Sequence, residues 1–253
     1  QRTGLLAGGN WIIDQVKIID VYPKHEQLAN IFDQSQGTGG SPYNVLLDLA
    51  KMGAGFPLQG AGLVGQDSLG QYILEDCRNH GIDPKFISVS PGSSTSYTDV
   101  MTEKDGGRRT FFHNRGANAT WCGDDLDFAE TSARIFHLGY LLLLDAIDDA
   151  DDAHGTRGAA LLAKAREAGL KTSIDVVSED SDRFSRIVGP ALEQVDYCIL
   201  NEVEASKVTG VKVREEGKLL DDGIEEASSK LFELGARELV AIHFPEGSFA
   251  QSA

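Results

Sequence analysis

Cysteine is scarce in this chain. Cys77, Cys122 and Cys198 are odd in number and far apart, and no Cys-x-x-Cys pair occurs. A disulfide framework is therefore not expected, and a reducing, cytoplasmic setting is the simpler expectation. The six histidines share no His-x-His or His-x-x-x-His spacing, so no zinc site is expected. Basic residues are also in deficit, 23 against 39 acidic ones, for a net charge of −16. The one small basic cluster, Lys104, Arg108 and Arg109, is too small to displace counterions from a polyphosphate backbone, so no nucleic-acid partner is expected. No apolar run approaches the roughly 18 residues that span a bilayer. The longest lies around Tyr140 to Leu144, so no membrane partner is expected. No basic segment followed by an apolar one opens the chain, so no secretory leader is expected.

What is present fits a globular chain of one large domain or two small ones: 253 residues, 41% hydrophobic and 25% charged. Apolar runs and helical spacings alternate. Strands are predicted at Leu5–Ala7, Val16–Val21, Leu28–Phe32, Pro57–Leu63, 135–144, 171–176, 195–200 and Glu238–Ile242. Helices are predicted at Asn44–Met52, 68–79, 156–168, 182–193, 202–208 and 223–235. Strands separated by helices imply a mostly parallel, doubly wound α/β sheet. Residues 14–36 and 95–117 fit that scheme poorly. They alternate polar and apolar positions, and Lys104-Asp105-Gly106-Gly107 is a hairpin signal. They predict a small antiparallel accessory sheet, such as a lid.

Several motifs have two readings. Gly60-x-Gly62-x-x-Gly65 matches the dinucleotide fingerprint, which would make the chain an oxidoreductase, but it falls in the second strand–helix unit and Pro57 weakens its strand. Gly37-Thr38-Gly39-Gly40 before Pro42 and Asn44 reads as a loop that lets a ligand approach the backbone, or as a flexible loop ahead of a helix. Asn201-x-x-Glu204 reads as a capping box and also as a carboxylate at a strand's C-terminal edge. Asp175 ends another strand at that edge. The acids from Asp145 to Asp152 lack calcium-loop spacing and read as a solvated loop, and Trp11 reads as core.

In series, these motifs resemble the ribokinase-like, or PfkB, carbohydrate kinases. Gly8-Gly9-Asn10 with Asp14 resembles the family's opening strand and its substrate-binding aspartate. Gly39-Gly40-x-x-x-Asn44 resembles its first signature, and Gly65-x-Asp67-x-x-Gly70 its next turn. Arg109-Thr110-Phe111-Phe112 with Gly116-Ala117-Asn118 resembles the lid return, and Asn201-x-x-Glu204 the magnesium and phosphate motif.

The resemblance implies one ribokinase-like α/β domain over 1–253, with a β lid built from about 14–36 and 95–117. It implies ATP- and Mg²⁺-dependent phosphorylation of a hydroxyl on a sugar or nucleoside, and a homodimer formed through the lid. Asn10, Asp14, Gly39, Gly40 and Asn44 would bind the substrate. Asn201 and Glu204 would serve the phosphates, with Glu204 holding Mg²⁺ through water. Arg109, Phe112, His113 or Asn114 of the lid would tune specificity. One departure is plain: the family's Gly-Ala-Gly-Asp, which supplies an anion hole and the catalytic base, does not occur. The expectation is that the C-terminal part of the fold and the base lie beyond Ala253, and that these residues alone are inactive. The alternative is a non-catalytic sugar- or nucleoside-binding protein of the same fold.

Overall fold

The computed structural model describes residues 2–253. In chain order the elements are β1 (Leu5–Gly9), β2 (Ile12–Ile19), β3 (Ile31–Gly39), α1 (Ser41–Lys51), β4 (Leu58–Gly65), α2 (Ser68–Asn79), β5 (Ile82–Ser90), β6 (Ser96–Glu103) and β7 (Arg109–Asn114). A 3-10 turn over Gly116–Thr120 precedes β8 (Ile135–Leu141), α3 (Asp145–Asp148), β9 (Ala150–Asp151), β10 (Gly155–Thr156), α4 (Arg157–Glu167), β11 (Lys171–Val176) and α5 (Phe184–Leu192). Then follow β12 (Tyr197–Asn201), α6 (Glu202–Thr209), β13 (Arg214–Glu215), β14 (Lys218–Leu219), α7 (Asp221–Glu233), β15 (Leu239–Phe244) and β16 (Gly247–Ser252).

Eight strands form the large sheet in the order β16-β15-β12-β11-β8-β1-β4-β5. All its pairings are parallel except the edge pair β15–β16. Alternate residues of β1 enter different cores: Leu6 joins Phe136, Leu138 and Leu162, whereas Leu5 and Ala7 join Trp11, Tyr43 and Ile73. The sheet is thus covered on both faces, as its near-continuous apolar strands require. Each fully buried large side chain of this kind contributes roughly 1.5–3 kcal/mol. Among the described residues no helix is long and apolar enough to cross a membrane.

A second sheet of four strands, β3-β2-β6-β7, stands on the predicted accessory segments. Its outer pairs are antiparallel, but its central pair, β2 with β6, is parallel, because the two strands are separate excursions from the large sheet. Both roots are tied to the core. Asp67 caps α2 by accepting from the Gly70 amide at 2.9 Å, and also takes the amide and hydroxyl of Thr95, one residue before β6, at 2.7 and 2.6 Å. Asn118 exchanges two bonds with the Trp11 backbone between β1 and β2. The Gly65-x-Asp67-x-x-Gly70 and Gly116-x-Asn118 motifs are therefore anchors of this sheet.

Several expectations change. Residues 20–30 form a loop, so Leu28 belongs to no strand. The stretch read as a flexible glycine loop is the end of β3, where Gly37 and Gly39 pair with β2. The strand expected over 135–144 ends at Leu141, because Leu142 takes a positive φ of 74°. The edge strands β5 and β16 were not anticipated, since each is short of apolar residues on its exposed side. The acidic stretch is not wholly solvated either. Asp148 is buried and accepts from the Leu142 amide at 3.0 Å, bracing the turn after β8. The Gly60-to-Gly65 string lies inside β4, not in a turn. A Cβ on Gly60 would sit 2.7 Å from the Trp11 ring, and one on Gly62 2.3 Å from it. These glycines make room for a buried indole whose Nε1 donates to the Ala61 carbonyl at 2.7 Å, which removes the physical basis of the oxidoreductase reading.

Candidate active site

The C-terminal edge of the large sheet meets the root of the small sheet near Asp14 of β2. Asp14 is half-buried and lies opposite Gly37 and Thr98. Burial raises its pKa, against a hydrogen bond from Thr98 and the charge of Arg109, which lower it. Gly39 is what makes room for this acid: a Cβ there would lie 2.6 Å from Asp14 Oδ1. Gly40 is required for a different reason. Its φ is +87°, and a Cβ would lie 2.1 Å from the Asn10 carbonyl oxygen. Pro42 sits in the first turn of α1, as its fixed φ favours.

The two asparagines differ from expectation in how free they are. Asn10 is fully buried. Its Oδ1 accepts from the Tyr140 amide at 2.5 Å, and its Nδ2 donates to the Leu143 carbonyl at 3.2 Å. These two bonds position the turn after β8 and use one of the two Nδ2 hydrogens and one Oδ1 lone pair. Asn44 is half-buried and accepts from the Thr38 hydroxyl at 2.8 Å. Asp14, Gly39, Gly40 and Asn44 are brought together as expected, with Asn10 behind them.

Across the cleft, Asn201 and Glu204 form a complete capping box on α6. Glu204 is 3% exposed. Its oxygens accept from the Asn201 amide at 2.8 Å, from Asn201 Nδ2 at 2.7 Å and from Ser178 Oγ at 2.7 Å. Burial raises its pKa. Asp175, in β11, is held at about 7 by burial and then by the Glu204 charge, with the Ser41 hydroxyl pulling the other way.

Three features had no sequence signal. Tyr140 follows Gly139 at the end of β8. Burial raises its phenol pKa, and the charges of Asp175, Glu204 and Asp14 add to the rise. The second is a buried chain behind Asp175: Ser41 Oγ lies 2.8 Å from His137 Nε2, and His137 Nδ1 lies 3.0 Å from Ser173 Oγ. Burial lowers the His137 pKa to about 4. The third is Thr98, whose Oγ1 lies 3.0 Å from His113 Nδ1. Strand alternation alone does not reveal these partners, because each depends on the register or packing of separate elements.

A cation would find carboxylates here, the donor type that hard ions such as Mg²⁺ prefer. Asp175 and Glu204 act on each other as like charges and raise the local negative potential. Asp175 and Glu204 therefore fit such an ion, although Glu204 already holds three protein bonds. Among the described residues no group of three or more potential metal ligands converges.

Comparison with known proteins agrees with this geometry. The sequence profile described as pfkB family carbohydrate kinase matches residues 9–249. Fructokinase-1 of Oryza sativa subsp. japonica is 27% identical over 183 residues, covering 68% of this chain and 53% of that protein. A probable chloroplastic fructokinase-6 of Arabidopsis thaliana is 28% identical over 162 residues, covering 62% and 40% respectively. The chain thus spans about half the length, or less, of these curated relatives. Among solved structures, Arabidopsis thaliana ribokinase complexed with ribose and ATP superposes with a TM-score of 0.76 at 20% identity, over 100% of this chain and 78% of that one. Fructokinase with bound ATP from Xylella fastidiosa gives a TM-score of 0.72 at 19% identity, over 100% and 75%. With the profile running through nearly every element described above, the chain belongs to the pfkB family of carbohydrate kinases.

Proposed function

We propose that this chain binds a sugar or nucleoside between Asp14 and the Gly39–Asn44 segment, and that its protein transfers a phosphoryl group from ATP to a hydroxyl of that ligand. The observation that carries the reading is the seat of Asp14: an acid at the junction of two sheets, with Gly39 beside it kept free of a side chain. An ionised carboxylate accepts from two hydroxyls, and charge-assisted bonds are roughly twice as strong as neutral ones. Asn44 supplies a mixed donor and acceptor, as hydroxyls require. The four-stranded sheet would act as the lid that excludes water from the cleft.

On the phosphate side, Asp175 is the more open carboxylate, with Asn201 and Glu204 behind it. Mg²⁺ held there through water would supply charge neutralisation for the phosphates. The chain's own contribution is to fix these acids: the Ser41 hydroxyl lowers the Asp175 pKa against burial, while Asn201 and Ser178 hold Glu204. No Gly-Ala-Gly-Asp string occurs in these residues, and we assign no base among them. A cytoplasmic location accords with three free thiols. A homodimer through the lid accords with the exposed apolar side chains Tyr22, Ile31 and Phe112 on the four-stranded sheet and its loop.

The test is ADP release with Mg-ATP and a panel of D-fructose, D-ribose, other sugars and nucleosides. It should be run on the 253-residue chain and on any longer product of its coding sequence. Sugar-dependent release by the longer product supports the reading. Binding without release by either would favour the non-catalytic alternative, and a flat response in both assays would sink the proposal.

A further inference from the structure

Asp14, Thr98 and His113 occupy directly opposed positions on three neighbouring strands, β2, β6 and β7. Opposed residues project to the same face of a sheet, so the three side chains form one row. Thr98 Oγ1 lies 3.0 Å from His113 Nδ1, and on its other side Thr98 stands directly opposite Asp14, whose carboxylate pKa its hydroxyl lowers. A hydroxyl carries one proton. If that proton goes to the carboxylate, Thr98 must accept from His113, and the ring must carry its hydrogen on Nδ1.

The other ring nitrogen supports the same tautomer. His113 Nε2 is buried and has no partner. A buried N–H without an acceptor is rarer and costlier than a buried lone pair without a donor. The charged groups acting on the ring are Arg115 and Asp145, which pair with each other at 2.8 Å. Burial, and then the Arg115 charge, lower the ring's pKa and so favour its neutral form, against the Asp145 charge.

We propose that Thr98 and His113 are positioning residues for Asp14: the His113 Nδ1–H fixes the Thr98 hydroxyl as a donor, which holds the Asp14 carboxylate in one orientation and leaves its free lone pairs aimed at a hydroxyl-bearing ligand. This rests on the sugar reading of Asp14. It goes beyond that reading by assigning two residues, a proton position and a direction of hydrogen bonding.

The experiment has two arms. In the first, the ¹⁵N-labelled chain is examined by long-range proton–nitrogen correlation near neutral pH, with the His113 signals identified by their loss in His113→Gln. A protonated Nδ1 and an unprotonated Nε2 are expected, with the tautomer balance disturbed in Thr98→Val. In the second, calorimetry measures affinity for whichever of D-fructose, D-ribose and adenosine the wild-type chain binds best. Thr98→Val and His113→Ala should weaken binding about tenfold, the value of one hydrogen bond to a charged group, while Thr98→Ser stays within about twofold of wild type. A hydrogen on Nε2, or Thr98→Val binding like wild type while Asp14→Asn does not, would overturn the positioning role and leave the sugar reading standing. No binding of any probe to the wild-type chain would overturn both.

Discussion

The two ends of the cleft repeat one arrangement in different surroundings. In the four-stranded sheet, an acid, a hydroxyl and an imidazole follow one another as Asp14, Thr98 and His113; at the edge of the large sheet they follow as Asp175, Ser41 and His137. His137 is 5% exposed and has partners on both ring nitrogens, whereas His113 leaves Nε2 unpaired. Asp175 feels a second carboxylate, Glu204, while Asp14 feels the cation of Arg109. Burial raises both acids, and the neighbouring charge then adds to the rise at Asp175 and opposes it at Asp14. The difference shows that like hydrogen-bonding groups do not fix how an acid titrates; its burial comes first and the sign of the nearest charge second.

The strongest way to break the comparison is Asp14→Asn. It removes the charged acceptor and should lower sugar-dependent kcat/KM of the active product by roughly a hundredfold, or about 3 kcal/mol for two charge-assisted bonds. Melting temperature should hold or rise, since burial disfavours the Asp14 charge. Retention of kcat/KM would remove Asp14 from the site.

Gly40→Ala and Gly39→Ala separate fold from site. Gly40→Ala combines a positive φ with a backbone collision and should cost about 3 kcal/mol in urea unfolding. Gly39→Ala meets only the Asp14 side chain, so it should cost about 1 kcal/mol or less while lowering sugar affinity about tenfold. Equal destabilisation by both would contradict that division.

The pH dependence sharpens the contrast. Asp175 holds its proton up to about 7 in the fold against 3.8 as the ordinary value, so the folded state binds more protons than the unfolded one between those limits. Its contribution is kept in acid and lost as pH rises from about 4 through about 7. Asp175→Asn should therefore gain stability relative to wild type at pH 8 and little at pH 4, read by melting curves. His137 has the opposite sign: its lowered pKa means stability lost as pH falls from 6.5 through about 4. The smallest effect is expected for Asn201→Ala, about 1 kcal/mol of lost helix cap.

Much of the cleft was legible in the sequence because its motifs are local. Gly39-Gly40 before Pro42 and Asn44 announces the start of a helix, though not the strand that ends in these glycines, and Asn201-x-x-Glu204 announces a capping box. What could not be read was the use made of each residue. Asn10 has the right chemistry for a sugar, yet its amide bonds the Tyr140 and Leu143 backbone, more than a hundred residues away. Gly60 and Gly62 fit a phosphate-binding string, yet they accommodate Trp11.

Composition, strand–helix alternation and the order of short motifs determined the α/β class, the accessory sheet and the position of Asp14, because these depend on local conformation and on periodicity. Only the tertiary structure decided which hydroxyl faces which acid, that Tyr140 feels the charges of three carboxylates, and that the central pair of the small sheet is parallel. Those outcomes depend on register between strands far apart in the chain, which a linear pattern does not encode.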